Sequence, residues 1–165
     1  MNEKKMFSLR KIEEADQEFL FEMQYQAIFV PKGTPSPDRA VLDDPSIRRY
    51  VEDWGRPGDF GLVAVDTETG EKLGAVWLRY FDSKSKGYGY VSDSIPELAI
   101  AVEYRRRGEG IGTVLLHALL EEMKGKTEAI SLSVDLKNPA VRLYKRFGFV
   151  EYDSYGESMI MVCSL

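Results

Sequence analysis

The chain has 165 residues, 44% of them hydrophobic and 30% charged, and a formal net charge of −5. This length suits one domain with a sizeable core, so we expect a single domain over residues 1–165. The acidic balance argues against a nucleic-acid partner, because the densest basic run, residues 105–107, is only three residues long.

The counts of cysteine and histidine limit which disulfides and metal sites the chain can form. A single cysteine, Cys163, excludes an intramolecular disulfide, and a single histidine, His117, argues against a zinc site, so we expect no metal. Residues 1–9 are too charged for a signal peptide, and no apolar run approaches the ~20 residues of a membrane helix. We therefore expect a cytoplasmic protein with no membrane partner.

In chain order, residues 6–12 alternate loosely and predict a first strand. Asp16 is a candidate N-cap for a helix over residues 17–29, whose apolar residues recur on one face. The prolines and glycine of residues 31–37 predict a loop, and a second helix is expected over residues 45–54.

Two β-rich segments, residues 60–65 and 72–81, predict a hairpin. The polar, glycine-rich stretch 82–93 predicts a loop. The compact apolar segment Glu97–Val102 predicts a strand, and the helical stripe of Ile111–Met123 predicts a long helix.

The rest of the chain predicts a strand over residues 129–134, a short helix over 138–146 and two strands within 147–162, with a turn near Gly156. Helices thus alternate with the strands of one sheet. This order predicts a three-layer α/β (α+β) domain.

A glycine-rich turn between the strand ending at Val102 and the helix beginning at Ile111 carries the main chemical information. It reads Arg107, Gly108, Glu109, Gly110, Ile111, Gly112, Thr113. Alternate glycines let the backbone approach a ligand closely, and a helix N-terminus favours an anion. The pattern indicates a phosphate site and favours a pyrophosphate.

Two common phosphate motifs do not fit this turn. A Walker A loop needs a lysine before its last Ser or Thr, and the chain has Gly112 there. A dinucleotide fingerprint counted from Gly108 needs a third glycine where Thr113 stands.

What remains resembles the GNAT superfamily of N-acetyltransferases. Residues 107–112 match its Arg/Gln-x-x-Gly-x-Gly/Ala motif after the fourth strand. Residues 138–149 resemble its second motif, Asn-x-x-Ala-x-x-Leu-Tyr followed by Gly-Phe. The resemblance is close over residues 97–150, whereas the N-terminal half agrees only in the order of its elements.

The resemblance implies a central, mostly antiparallel mixed sheet of about seven strands with about four helices and a splayed cofactor cleft between strands 4 and 5. It implies an enzyme that moves the acetyl group of acetyl-CoA to a primary amine by direct attack, through a tetrahedral intermediate. An acyl-CoA-binding sensor of the same fold is the alternative. Homodimers are common in the family, and the sequence leaves the oligomeric state open.

The resemblance also assigns cofactor-binding residues. The expected set is Ile100, Ala101, Val102, Arg107, Gly108, Glu109, Gly110, Ile111, Gly112, Thr113, Asn138 and Tyr144. The strand residues would pair with pantetheine, and one of their N–H groups would stabilise the oxyanion. Asn138 would bond pantetheine or cap its helix.

Two residues are candidates for proton transfer. Tyr144 would protonate the departing thiolate, unless it simply packs between helix and sheet. Glu97, at the start of the strand beside the cleft, would accept the amine's proton directly or through water, and Asp93 and Glu103 are weaker candidates.

The acceptor, a small-molecule or peptide amine, is expected at the open end of the cleft, bordered by residues 29–44 and 82–94. Tyr88, Tyr90 and Trp54 are candidate aromatic walls, although ordinary packing is the other interpretation of Trp54. His117 and Cys163 are expected to pack and to take no part in the chemistry.

Overall fold

The computed structural model describes residues 6–165 and contains one seven-stranded sheet with the order β1-β2-β3-β4-β5-β7-β6. The only parallel pair of neighbours in this described sheet is β4–β5. The strands are β1 (Phe7–Lys11), β2 (Phe60–Asp66), β3 (Lys72–Arg79), β4 (Glu97–Val102), β5 (Ala129–Asp135), β6 (Val150–Tyr155) and β7 (Ser158–Ser164).

Four α-helices flank the sheet. They are α1 (Gln17–Ala27), α2 (Pro45–Arg48), α3 (Ile111–Met123) and α4 (Ala140–Arg146). One core holds Leu20 and Met23 of α1 against Trp77 of β3. The other core holds the apolar stripe of α3 and Tyr144 of α4 against the opposite face. The three-layer arrangement predicted from the sequence is confirmed.

The strands β4 and β5 touch at one end only. Glu97 and Ser131 form their single register pair, supported by a hydrogen bond of 3.0 Å from the Ser131 N–H to the Pro96 carbonyl. Beyond this pair the two strands separate, although each continues for several residues. The sheet is therefore open between them, as the family resemblance predicted.

The second helix is shorter than predicted, ending at Arg48 instead of residue 54. Side chains of β3 donate to backbone carbonyls of the segment just after α2. The Trp77 indole N–H donates to the Tyr50 carbonyl at 3.1 Å, and the Arg79 guanidinium donates to the carbonyls of Arg49 and Glu52 at 3.0 and 2.7 Å. Residues 49–53 form turns instead.

Asp16 occupies the N-cap position of α1 as predicted, but its carboxylate makes no capping hydrogen bond to the helix. It accepts from the Glu13 N–H at 2.8 Å and pairs with Arg10 at 2.8 Å and Lys72 at 2.6 Å. The hydrogen bond from Arg10 is the main reason why the pKa of this carboxyl lies well below its usual range.

Across residues 6–165, every helix is too short or too polar to cross a bilayer.

Candidate active site

Two cavities meet where β4 and β5 separate. The small cavity, about 320 Å³, is bordered by Glu97, Tyr50, Tyr88 and Asp135. The large cavity, about 1090 Å³, is bordered by the loop after α1 and by the glycine-rich turn. The residues common to both linings are Ala27, Ile28, Phe29, Ile100, Asn138 and Tyr144. The two cavities are therefore neighbours along one cleft.

The glycine-rich turn presents bare backbone to the large cavity. Gly108 and Gly110 have φ angles of 84° and 83°, which glycine adopts without strain, and a Cβ at either would meet no atom within 4 Å. Within the described chain, the N–H groups of residues 110–113 donate no hydrogen bond, and the first helical bond of α3 runs from Val114 to Gly110. Free N–H groups at a helix N-terminus form an anion site.

Most of the predicted cofactor residues border the large cavity. These are Ile100, Ala101, Val102, Arg107, Gly108, Gly110, Ile111, Gly112, Thr113, Asn138 and Tyr144. Glu109 does not border it, and its carboxylate pairs with Arg106 at 3.0 Å. The Asn138 Oδ1 accepts from the N–H of Ala140, the first residue of α4, at 2.9 Å.

Arg107 has a structural role that the motif did not predict. Its guanidinium donates to the carbonyl of Val102 at 3.1 Å and to the carbonyl of Gln26 at 2.9 Å. It thereby ties the end of β4 to the end of α1, on the wall of the large cavity.

Glu97 is the buried acid of the small cavity, with only 2% of the residue exposed. Burial raises the pKa of this carboxyl to about 7, although the hydrogen bond from the Tyr50 hydroxyl to Oε2 lowers it in part. The nearby Gly89 N–H lowers the pKa of Glu97 to a smaller extent, without forming a hydrogen bond to Oε1. The Glu97 Oε1 has no hydrogen-bond partner in the described chain. A carboxyl of this kind can exchange a proton near neutral pH.

The loop between β3 and β4 lies directly over this carboxyl. The Tyr88 N–H donates to the Tyr50 hydroxyl at 2.7 Å. A Cβ on Gly87 would lie 2.2 Å from the Glu97 Oε1, and a Cβ on Gly89 would lie 2.7 Å from the Leu132 backbone. Only glycine at these two positions lets the loop pack this closely.

Tyr50 was not found by the sequence reasoning, which placed it inside a helix without a role. The spacing of Gly87 and Gly89 was the available hint, because two glycines one residue apart often mark a close approach of backbone to another group.

Tyr144 borders both cavities and is 8% exposed. Its ring packs edge-on against Phe149, with centroids 5.9 Å apart. Burial raises the pKa of its hydroxyl to about 12, so the group is protonated at neutral pH. The hydroxyl makes no hydrogen bond to the described residues. The structure therefore shows both that the Tyr144 ring packs in the core and that the residue reaches the cleft.

Of the three predicted aromatic walls, only Tyr88 borders the small cavity, with 57% of the residue exposed. Tyr90 lies under Lys86 and bonds Asp93 instead. Trp54 is buried in the core below the Arg79 guanidinium, 5.6 Å from its ring centroid, and borders neither cavity. Ordinary packing is therefore the interpretation of Trp54 that the structure supports.

The weaker base candidates also lie away from the cavities. Asp93 is held by Tyr90, and Glu103 accepts from the Gln26 amide at 3.2 Å. Among residues 6–165, no group of three or more His, Cys, Asp or Glu side chains is placed to hold a metal ion.

Solved structures with this fold include two named acetyltransferases. The PaiA N-acetyltransferase of Thermoplasma acidophilum, solved with coenzyme A, superposes with a TM-score of 0.68 at 19% identity, over 96% of this chain and 99% of that one. A variant of the spermidine N-acetyltransferase SpeG of Vibrio cholerae gives 0.62 at 19% identity, over 96% and 94%. At these identities the likeness establishes the fold.

Sequence comparison establishes the family. The model of the acetyltransferase (GNAT) family matches residues 18–149, and the chain belongs to that family. A mycothiol acetyltransferase of Arthrobacter sp. (strain FB24) is 33% identical over 108 residues, which are 64% of this chain and 32% of that protein. The N-alpha-acetyltransferase 30 of Schizosaccharomyces pombe is 34% identical over 110 residues, 64% of this chain and 65% of that protein. The chain thus matches from one third to two thirds of the length of these relatives.

Proposed function

We propose that this protein transfers the acetyl group of acetyl-CoA to a primary amine. The observation that carries the proposal is the position of Tyr144 on the linings of both cavities. It connects a cavity with free backbone N–H groups, suited to a diphosphate, to a cavity that holds a buried carboxyl with a pKa near neutrality.

Two features of the large cavity support coenzyme A as its ligand. The free N–H groups of residues 110–113 would hold the pyrophosphate, and the gap after the Glu97–Ser131 pair leaves room for an extended pantetheine arm beside residues 100–102. Acetyl-CoA supplies the activated acetyl thioester. A backbone N–H of β4 would donate to the oxyanion of the tetrahedral intermediate.

The proposed proton transfers use two side chains of the cleft. The acceptor nitrogen attacks the acetyl carbon, a C–N bond forms, and the proton that the nitrogen loses goes to Glu97 directly or through water. The C–S bond then breaks, and Tyr144 gives its proton to the leaving sulfur. The products are the N-acetylated amine and coenzyme A, after which solvent returns both side chains to their starting protonation states.

The lining of the small cavity indicates the kind of acceptor. Among the described residues, its border includes the carboxylates Glu97 and Asp135 but no Lys, Arg or His. A negatively charged group beside the reacting amine would therefore lack a partner, whereas a positive one would be favoured. We propose a compact cationic amine. The neighbour from Vibrio cholerae is named for spermidine, an acceptor of this charge class.

A thiol-release assay tests the proposal. Purified protein with acetyl-CoA is presented with diamines, amino-acid amides and the corresponding free amino acids, and we expect release of coenzyme A with the amines and amides but not with the free acids. Calorimetric binding of acetyl-CoA without release on any amine would support the sensor. Failure of acetyl-CoA to bind would contradict both functions.

A further inference from the structure

Tyr50 and Glu97 form a buried hydrogen-bonded pair between elements that are distant in sequence. Tyr50 lies just after α2 and is 6% exposed, while Glu97 begins β4. The Tyr50 hydroxyl donates to the Glu97 Oε2 and accepts from the Tyr88 N–H at 2.7 Å. The Tyr50 hydroxyl thus donates to the carboxyl and accepts from the loop that covers it.

The surroundings of the two side chains determine which of them donates the hydrogen bond. Burial, followed by the charge of Glu97, raises the pKa of the Tyr50 hydroxyl well above its usual range, so Tyr50 remains the donor. The pKa of Glu97 is near 7, so the carboxyl is the group that changes charge around neutral pH.

No cation in the described chain lies within ion-pair distance of Glu97. Arg79 is its cross-strand neighbour on β3, but the Arg79 guanidinium pairs with Asp59 at 2.8 Å and donates to carbonyls of residues 49–53. The other titratable groups of the small cavity are Tyr88, Tyr144 and Asp135, and none of them is cationic. The Tyr50 hydroxyl is therefore the main stabilising contact of the Glu97 carboxylate.

We propose that Tyr50 is a positioning residue that holds Glu97 in its charged, proton-accepting form in the cleft. The inference rests on the proposed role of Glu97 as the base. It adds that the segment after α2 and the loop after β3 cooperate in preparing that base, because both meet at the Tyr50 hydroxyl.

The ring and backbone of Tyr50 have separate partners, which makes the hydroxyl testable alone. The ring packs edge-on against Phe81, with centroids 5.1 Å apart, and the carbonyl accepts from the Trp77 indole. Tyr50→Phe keeps both contacts and removes only the hydroxyl.

The experiment measures kcat/KM for the amine acceptor from pH 6 to pH 9.5 in the wild type and in Tyr50→Phe. The kcat/KM of the variant is divided by that of the wild type at each pH, because ionisation of the free acceptor affects both values equally. Losing one hydrogen bond to a charged group should lower the variant's kcat/KM at pH 7 by roughly fivefold or more, with recovery to within about twofold at pH 9.5. A constant ratio across this range would overturn the inference, because a merely structural loss does not recover with pH.

Two further measurements separate the possible failures. Carbon-13 NMR of δ-labelled glutamate, assigned with Glu97→Gln, should show the Glu97 carboxyl titrating at higher pH in Tyr50→Phe, and an unchanged titration would overturn the inference whatever the activity. Tyr155→Phe, on exposed β6 and away from both cavities, should keep the wild-type profile. If Glu97→Gln keeps full activity while the Tyr50→Phe titration shifts, the proposed base is wrong but the pairing stands.

Discussion

Glu97 illustrates how burial can turn an ordinary carboxyl into a useful base. In water a glutamate is fully charged at pH 7 and has little tendency to accept a proton. Burial opposes the charge and raises the pKa to about 7, with the Tyr50 hydrogen bond limiting the rise. A base whose pKa lies near the working pH is suited to proton transfer in both directions.

This pKa sets the expected pH dependence. Because the folded pKa of Glu97 is raised, the carboxyl is protonated and inactive as a base below about pH 7 and becomes active above it. We expect kcat/KM to rise through about pH 7, with a separate rise near the pKa of the acceptor amine. Glu97→Gln should lose the lower inflection and about 10²-fold or more in kcat. An unchanged inflection in that variant would assign it to another group.

Tyr144 should affect turnover and not cofactor affinity. Tyr144→Phe keeps the ring that packs on Phe149 but removes the hydroxyl that would protonate the leaving sulfur. We expect kcat to fall about 10²-fold, with the Kd of acetyl-CoA within about threefold of the wild type. Tyr152→Phe, on exposed β6, is the matched control. Equal kcat in the Tyr144 variant would leave that residue with a packing role only.

The candidate base and acid could be predicted from the sequence, but the residues that surround them could not. Tyr144 stands in a recognisable motif, and Glu97 opens a strand next to one. Tyr50 is 47 residues from Glu97 in the chain. No local pattern predicts such a contact, because it depends on the position of the turn after α2 relative to the sheet.

Among the elements, the glycine-rich turn is the one whose backbone shape matters most. Gly110→Ala forces a side chain into a φ of 83° at the first turn of α3. We expect the KM for acetyl-CoA to rise by about tenfold or more, as measured by thiol release. Gly70→Ala is the matched control, because its φ of 76° and open surroundings are similar but it lies in the β2–β3 hairpin. Equal effects of the two substitutions on KM would contradict a role for the turn in binding.

The helices show where local patterns stop being informative. The sequence predicted Ile111–Met123 correctly because the apolar stripe of α3 is long and regular. The same reasoning made α2 too long. The side chains that bond the carbonyls just after it, Trp77 and Arg79, are about 30 residues further along the chain. A helix end fixed by tertiary partners carries no signature in its own sequence.

At the scale of the whole molecule, the buried pair of Arg79 and Asp59 fastens the segment carrying Tyr50 to the sheet. Both side chains are 2% exposed and lie 2.8 Å apart. Arg79→Met keeps the apolar stem but leaves Asp59 charged and buried, so we expect the free energy of unfolding to fall by about 3–5 kcal/mol. Arg48→Met, from an exposed pair with Glu52, should cost at most about 1 kcal/mol. Urea denaturation of both variants checks the contrast, and similar losses would contradict it.

The separation of β4 and β5 is the global feature that makes the cleft. The family resemblance predicted a gap between these two strands, and the structure has one. Strand spacing alone could not have predicted it, because Glu97–Val102 and Ala129–Asp135 read as ordinary apolar strands.

The most direct test is to follow the backbone amides of the turn by ¹⁵N NMR as coenzyme A is added. The predicted result is saturable shifts that are largest at Gly110, Ile111 and Gly112 and absent at Gly70. Saturable binding that leaves those three amides unmoved, or no binding at all, would contradict the central claim.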